Sequence, residues 1–393
     1  MSARTRVPGE GELAYQPSGS ALESLEETEE YKEQGSQKGS MPHKGLAKML
    51  QSCTVQNTDA SGSTRVGSHT TAARRANFRK LAILGVLVIL AAILYMTIGV
   101  KFANPKLFRY SMKIRTPKLA AMLITAFAIG SASIVFQSII NNTIVTPCLL
   151  GMNSLYTLIH TAVVFVFGTT SFIMTKSNLA FGIDLVLMGI TATIIYSYLF
   201  KKTGHNVLYV LLVGTVLSSF FSSIQSTLTR VMDPNEYDTL LATLVASFNN
   251  INTEIIVFSV IILAALAVFF RKDLALLDVI TLGKDQAINL GVDYDSCIRR
   301  LLLCVTLYIA VATAMVGPIS FLGLIIANLA RQLLKTYRHS ELIIGSTLFG
   351  MLVLVAGQLV VERIFVYSVP VSVFITLWGG IYFLYLILKN SRK

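Results

Sequence analysis

The chain has 393 residues, 53% hydrophobic and 14% charged, with a mean hydropathy of +0.64; a water-soluble chain carries about 25% charged residues, so a soluble globular fold is excluded. Its apolar runs are continuous rather than alternating, which excludes an outer-membrane barrel and leaves an all-α polytopic membrane protein. Lys and Arg (33) exceed Asp and Glu (21) for a net charge of +12, an excess that reflects the positive-inside rule rather than a nucleic-acid partner.

In chain order, residues 1–73 come first, with two aromatics (Tyr15, Tyr31), clustered glutamates (Glu23, Glu26, Glu27, Glu29, Glu30, Glu33) and many Ser, Gly, Thr and Gln. Such a composition buries too little apolar surface to offset ordering entropy, so a disordered cytoplasmic extension is expected. The acidic patch leaves a transient helix or a regulatory tail open, and Met41 and Met49 leave open a later start of translation. The first apolar run begins at residue 81, too far in for a signal peptide.

The runs then follow at 81–100, 119–140, 144–174 (interrupted by Pro147 and Gly151), 179–200, 206–229, 251–270, 301–330, 342–361 and 364–388. The uncharged stretch 301–330 is too long for one crossing, and Pro cannot continue a helix. Gly317-Pro318 therefore splits it into 301–316 and 319–334. This gives about ten transmembrane helices within residues 74–393. Cys53, Cys148, Cys297 and Cys304 have no CxxC spacing, and His43, His69, His160, His205 and His339 form no i,i+4 pair or HExxH. Neither a disulfide framework nor a metal site is expected.

Counting Lys and Arg in the loops with the N-terminus inside places 17 on the cytoplasmic side and 9 outside, so both termini are expected in the cytoplasm. Six of the nine (Lys101, Lys106, Arg109, Lys113, Arg115, Lys118) fall in one external loop, 101–118. Either the cytoplasmic charge outvotes them or they meet a partner. The longest inside loop, 271–300, has helically spaced apolar residues with Gly283 and Gly291 where short helices begin and end. A pair of short amphipathic helices is expected there, as a solvated surface piece or a partner contact.

No catalytic constellation appears, and no residue is assigned a catalytic role. Gly283-Lys284 lacks the first glycine of a phosphate-binding loop, Asp278 standing in its place. The runs are nearly free of ionisable groups, with Asp184, Glu254 and Glu362 near predicted ends. Ion-coupled carriers keep such groups near the midplane, so energy is expected from outside this chain. In the fifth run Ser218, Ser222 and Ser226 share one helix face with Ser219 and Ser223 beside it. They suit close helix packing or a wet path for a polar solute. Asp233-Pro234-Asn235 reads as a helix start, a candidate external gate.

Leu282 through Val292 (LGKDQAINLGV) resembles the loop by which permeases of the iron-siderophore and cobalamin (FecCD-like) ABC importers seat on their ATPase. Further segments resemble the same family. They are Arg115-Thr116-Pro117-Lys118; Gln137 through Asn142 to Pro147 and Leu150-Gly151; Gly317-Pro318-Ile319-Ser320-Phe321-Leu322-Gly323-Leu324-Ile325 with Arg331; and Ser368-Val369-Pro370-Val371 with Phe383-Leu384-Tyr385-Leu386. The resemblance runs from about 81 to 393 and leaves the tail unexplained. Departures are Thr143 for Pro, Leu155 for Gly, Ala327-Asn328 for Pro-His, and Ser372 and Ile381 for Gly and Pro. With Asn153-Ser154-Leu155-Tyr156 and Ala246-Ser247-Phe248-Asn249-Asn250, they resemble the branch for catecholate siderophores such as enterobactin and petrobactin, away from cobalamin.

The resemblance implies a type II ABC importer permease in a bacterial cytoplasmic membrane. Its implied partners are ABC ATPase subunits that use the ATP, a second permease (a copy or a paralogue), an extracytoplasmic binding protein, a ferric siderophore and the lipid bilayer. No cofactor is bound by this chain, and nucleic acid is not a partner. It assigns ATPase coupling to Leu282, Gly283, Lys284, Asp285, Ala287, Leu290, Gly291 and Val292, and binding-protein docking to Arg115, Lys118 and Arg363. Ser218, Ser222, Ser226, Asn142 and Pro147 are expected on the translocation path, and Gly151, Gly317, Pro318 and Gly323 at helix breaks or close packing. The competing readings are an ion-coupled secondary transporter or channel working without an ATPase, and a membrane receptor or scaffold whose acidic tail recruits partners.

Overall fold

The computed structural model describes residues 65–98, 104–169, 171–172, 176–202, 207–248, 251–365 and 369–390. The expected disordered extension over residues 1–64 lies outside them, with Lys101, Asn249, Asn250, Ser368, Arg392, Lys393 and the side chains of 65–73. By its internal contacts the chain divides after Ser68, and the unit from His69 to Lys393 carries the whole apolar part.

The described residues are helical, without a strand. The helices are α1 (Arg65–Thr97), α2 (Pro105–Ile140), α3 (Met152–Phe167), α4 (Ser177–Lys202), α5 (Val207–Val231), α6 (Pro234–Leu244) and α7 (Thr253–Phe269). Three short ones follow, α8 (Arg271–Ala275), α9 (Leu277–Ile280) and α10 (Lys284–Asn289), then α11 (Tyr294–Val316), α12 (Leu322–Leu334), α13 (His339–Arg363) and α14 (Val371–Asn390). The ten expected apolar elements correspond to α1–α5, α7 and α11–α14. Six of these are long and apolar enough to cross a membrane, and α3, α7, α12 and α14 are shorter apolar helices.

Two boundaries correct the sequence reading. The basic segment expected as an external loop is helix from Pro105 onward: Asn104 accepts from the Lys106 N–H at 3.1 Å and Pro105 takes the first helical position. Arg115 to Lys118 therefore lie inside α2, not before it. Likewise Asp293 caps α11 through the Ser296 N–H at 3.2 Å, so the last seven residues of the expected 271–300 loop are helical. Apolar runs mark only the part of a helix that meets hydrocarbon, whereas caps mark where the helix ends.

α2 and α11 form the centre, each 72% buried over its apolar window, while α1 and α5 are 17% buried. Small residues let α2 approach its neighbours. A Cβ on Gly130 would sit 3.1 Å from the Thr347 nitrogen of α13, and one on Gly350 would sit 3.1 Å from the Ala126 Cβ. The Ser346 hydroxyl donates to the Gly130 carbonyl across this contact at 3.3 Å.

Side chains close several helix ends. The Lys80 Nζ donates to the Leu333 carbonyl at the end of α12 at 2.7 Å, and Asp278 of α9 accepts from the His339 N–H that opens α13 at 2.9 Å. The breaks at 141–151 and 317–321 pack on each other: Asn328 Nδ2 and Gln137 Nε2 donate to the Thr143 carbonyl at 2.9 and 2.8 Å, and Asn153 donates to the Ser320 hydroxyl at 3.2 Å. Arg331 donates to Gln137 Oε1 and Ser138 Oγ, both at 3.2 Å. Irregular backbone at this depth is tolerated because protein groups replace water as partners.

Candidate coupling, docking and translocation sites

The segment between α7 and α11 is held to the bundle from below. Arg300 of α11 donates through Nε to Asp273 of α8 at 2.9 Å, and Leu277 and Ile280 of α9 are buried in the main core. In place of the expected pair of short helices there are three, because Leu276 interrupts the first stretch as the last residue of one turn and the cap of the next.

α10 runs between its two glycines. Gly283 (φ +109°) precedes it, and Gly291 (φ +82°) follows it in a conformation that costs an L-residue. The Gly291 N–H donates to the Ile288 carbonyl at 2.9 Å and the Val292 N–H to the Ala287 carbonyl at 3.0 Å, the paired bonds of a Schellman ending. This turn aims two assigned coupling residues inward. Ala287 is fully buried and Val292 packs on the core, so neither meets a partner directly. Leu282, Lys284, Asp285 and Leu290 point outward, and so does Ile288, which the sequence reading passed over. Leu282, Ile288 and Leu290 are 53%, 50% and 63% exposed. Three large apolar side chains on one short outward turn form a docking face.

At the opposite end of α1, the assigned docking residues converge on one helix terminus. Arg115 donates to the Tyr95 and Ile98 carbonyls at 2.6 and 2.8 Å, with its guanidinium 5.6 Å from the Tyr95 ring centre. Arg363, exposed at the end of α13, also donates to the Ile98 carbonyl. Lys118 is 8% exposed, which corrects its assignment: a residue buried within α2 offers no surface to a second protein. Beside them Glu362 is also buried, accepting from the Tyr95 hydroxyl at 2.9 Å and the Gln358 amide at 3.0 Å.

The path residues divide into two groups. Ser218 lies against Gly151, whose added Cβ would be 3.0 Å from the Ser218 Cα, and its hydroxyl is 2.9 Å from that of Ser154. Ser222 and Ser226 are exposed on α5, with Ser219 and Ser223 beside them. Asn142 instead accepts from the Ile144 N–H at 2.8 Å within its own turn, and Pro147 is buried at the start of a 3₁₀ turn, Pro147–Leu150. The structure therefore does not bring Asn142 and Pro147 to an open surface with the serines. Gly317 packs on Ala246, and a Cβ on Gly323 would overlap the Ser133 hydroxyl of α2. Asp233 caps α6 by accepting from the Asn235 N–H at 2.9 Å.

The apolar spans hold more ionisable groups inside than the sequence reading allowed. Asp184, near a predicted run end, is 3% exposed and its Oδ2 lies 2.7 Å from Nδ1 of His160. The pairing joins α3 to α4 across 24 residues, a separation that no local spacing rule registers. The available signal was the presence of a His and an Asp inside apolar runs at all.

The FecCD transport family model matches residues 81–389. The petrobactin import system permease protein YclO of Bacillus subtilis is 42% identical over 284 residues, covering 72% of this chain and 90% of that protein. The petrobactin import system permease protein FatC of Bacillus anthracis is 33% identical over 71% of this chain and 79% of its own length. The fold is similar to a solved metal-chelate type ABC transporter in an inward-facing conformation, with a TM-score of 0.69 at 22% identity, covering 80% of this chain and 99% of that one. With this match over the helical part and its spanning helices, the chain is a membrane-embedded permease of the FecCD transport family.

Proposed function

We propose that this chain is the permease subunit of an ATP-driven importer that carries a ferric siderophore of the catecholate type across a bacterial cytoplasmic membrane. The observation that carries this reading is the 42% identity to a petrobactin import permease along nearly that protein's whole length. The outward apolar turn Leu282, Ile288, Leu290 supports it, since a membrane subunit without a nucleotide-binding loop needs a surface to receive work from an ATPase. ATP is then bound and hydrolysed on that separate subunit, with no cofactor on this chain. Closure of the ATPases would push on 282–291 and, through Asp273–Arg300 and Asp278–His339, tilt α11 and α13.

In this reading both termini and the 1–73 extension face the cytoplasm, a second permease covers α5, and Arg115 and Arg363 face an extracytoplasmic binding protein. The buried His160–Asp184 pair is the one observation that favours an ion-coupled carrier instead. Vesicle uptake of a radiolabelled ferric catecholate chelate separates the two. Uptake that requires added ATPase and binding protein and ignores ionophores supports the importer; uptake that collapses with the ion gradient, ATPase absent, overturns it.

A further inference from the structure

α3, α4 and α6, with the ends of α7 and α11, enclose a cavity of about 450 Å³ whose lining includes His160, Asp184, Thr239, Thr243 and Ser247. His160 and Asp184 are 7% and 3% exposed. The imidazole is held at both nitrogens, Nδ1 lying 2.7 Å from Asp184 Oδ2 and Nε2 lying 3.1 Å from Thr243 Oγ1. The Tyr156 ring stacks beside it at 5.8 Å, fixing its plane.

The hydrogens can be counted. Thr243 has one hydroxyl hydrogen, donated to the Leu240 carbonyl at 2.7 Å. Its oxygen therefore accepts from His160, and Nε2 carries a hydrogen. The other contact sets Nδ1 against a carboxylate oxygen, and one hydrogen has to lie between them. Together this is one proton more than a neutral ring and an ionised carboxylate hold, which leaves the pair with no net charge.

We propose that His160 and Asp184 form a proton-binding site whose occupancy holds α6 against α3 and α4. Loss of that proton has two outcomes. Either two acceptors face each other at the Nδ1–Oδ2 contact, or the ring keeps Nδ1–H and Nε2 turns acceptor, so that the Thr243 hydroxyl has to leave Leu240. In both, a net negative charge stays buried, and Asp184 Oδ1 has no hydrogen-bond partner to spread it. The cavity has room for several waters of about 30 Å³ each beside that oxygen, a route for the proton.

No other charge compensates. Among the cavity-lining residues the titratable groups are Tyr156 and His160 on α3 and Asp184 on α4. α6 contributes Thr239, Leu240, Ala242 and Thr243, its Glu236 and Asp238 standing outside the lining. α7 contributes Ile255, its Glu254 being bonded to Asn178, and α11 contributes Ala314 to Gly317. The inference is independent of which solute the chain carries.

The test uses the purified full chain in lipid nanodiscs. Hydrogen–deuterium exchange of the 234–244 peptide, corrected for chemical exchange, is followed from about pH 6 to 9, where histidine protonation is sampled. In wild type it should rise about tenfold across the range, the size expected for loss of one charge-assisted hydrogen bond. In Asp184→Asn it should not respond to pH. Nitrogen-15 histidine spectra, with His160 identified by its absence in His160→Gln, should show both ring nitrogens protonated at the acid end. Thr243→Val should keep that spectrum yet exchange fast at every pH. An identical pH response in wild type and Asp184→Asn, a singly protonated His160 at the acid end, or an α6 as protected in Thr243→Val as in wild type would each overturn the proposal.

Discussion

Arg115 and Arg363 reach the same carbonyl, that of Ile98, from two different helices. This gives the two arginines unequal duties. Arg115 is half-buried and its donors close the end of α1, so reversal to Glu should cost about 1–3 kcal/mol of stability, the range for losing charged hydrogen bonds. Arg363 is exposed, and its reversal should leave the melting temperature in place while slowing docking of the binding protein several-fold at low ionic strength, an effect that salt erases. Thermal melts of both variants beside stopped-flow docking at two salt concentrations check the split. Docking at the wild-type rate for Arg363→Glu at low salt returns the arginine to a purely structural part. The residue types and their family pattern were legible in the sequence. That Lys118 is buried was not, because a basic stretch reads as a loop when its helix cap, Asn104, stands fourteen residues earlier.

At the level of elements, α10 separates shape from contact. Gly291 shapes the turn through its positive φ and the Schellman bonds, whereas Leu290 beside it touches nothing and is 63% exposed. Leu290→Asp should therefore leave the fold intact and weaken ATPase association by about tenfold or more, the loss of one large apolar contact. Gly291→Val should misplace the whole turn, so that ATP hydrolysis continues while uptake falls. Pull-down of the ATPase and paired hydrolysis and uptake rates distinguish them, and a Leu290→Asp complex of wild-type affinity would remove this turn from the coupling surface. The glycine pair marked α10 in the sequence. The direction of its faces was hidden because six residues are too few for a 3.6-residue period to declare which side is buried, and so Ala287 and Ile288 were exchanged in role.

As a whole, the chain exposes on α5 a stripe that hydrocarbon would not accept: Thr215, Ser219, Ser222, Ser223, Ser226 and Thr227 are all exposed on a helix only 17% buried. The hydroxyls of Thr215-facing Ser219, and of Ser223 and Thr227, return to their own helix's carbonyls, which lowers but does not abolish their cost in lipid. A cysteine placed at Ser222 or Ser226, in a background without the four natural cysteines, should react with a charged, membrane-impermeant thiol reagent, whereas one at the apolar exposed position Phe258 should not. Equal protection at all three would place this stripe in a dry interface. The count and order of the apolar helices were readable from the runs, because membrane helices must satisfy their backbone internally and so announce themselves by length. Which helices lie at the centre was not, since α1 and α2 have similar hydropathies of 2.3 and 2.2 and differ only in what surrounds them. The two interrupted stretches supply a last consequence. Where 141–151 meets 317–321 the chain is fastened by side-chain amides and one guanidinium on carbonyls and hydroxyls, with no shared backbone ladder. A fastening of that kind behaves as a joint: the pieces can slide by trading a handful of partners one at a time, while every helix on either side keeps its own hydrogen bonds and moves as a stiff rod.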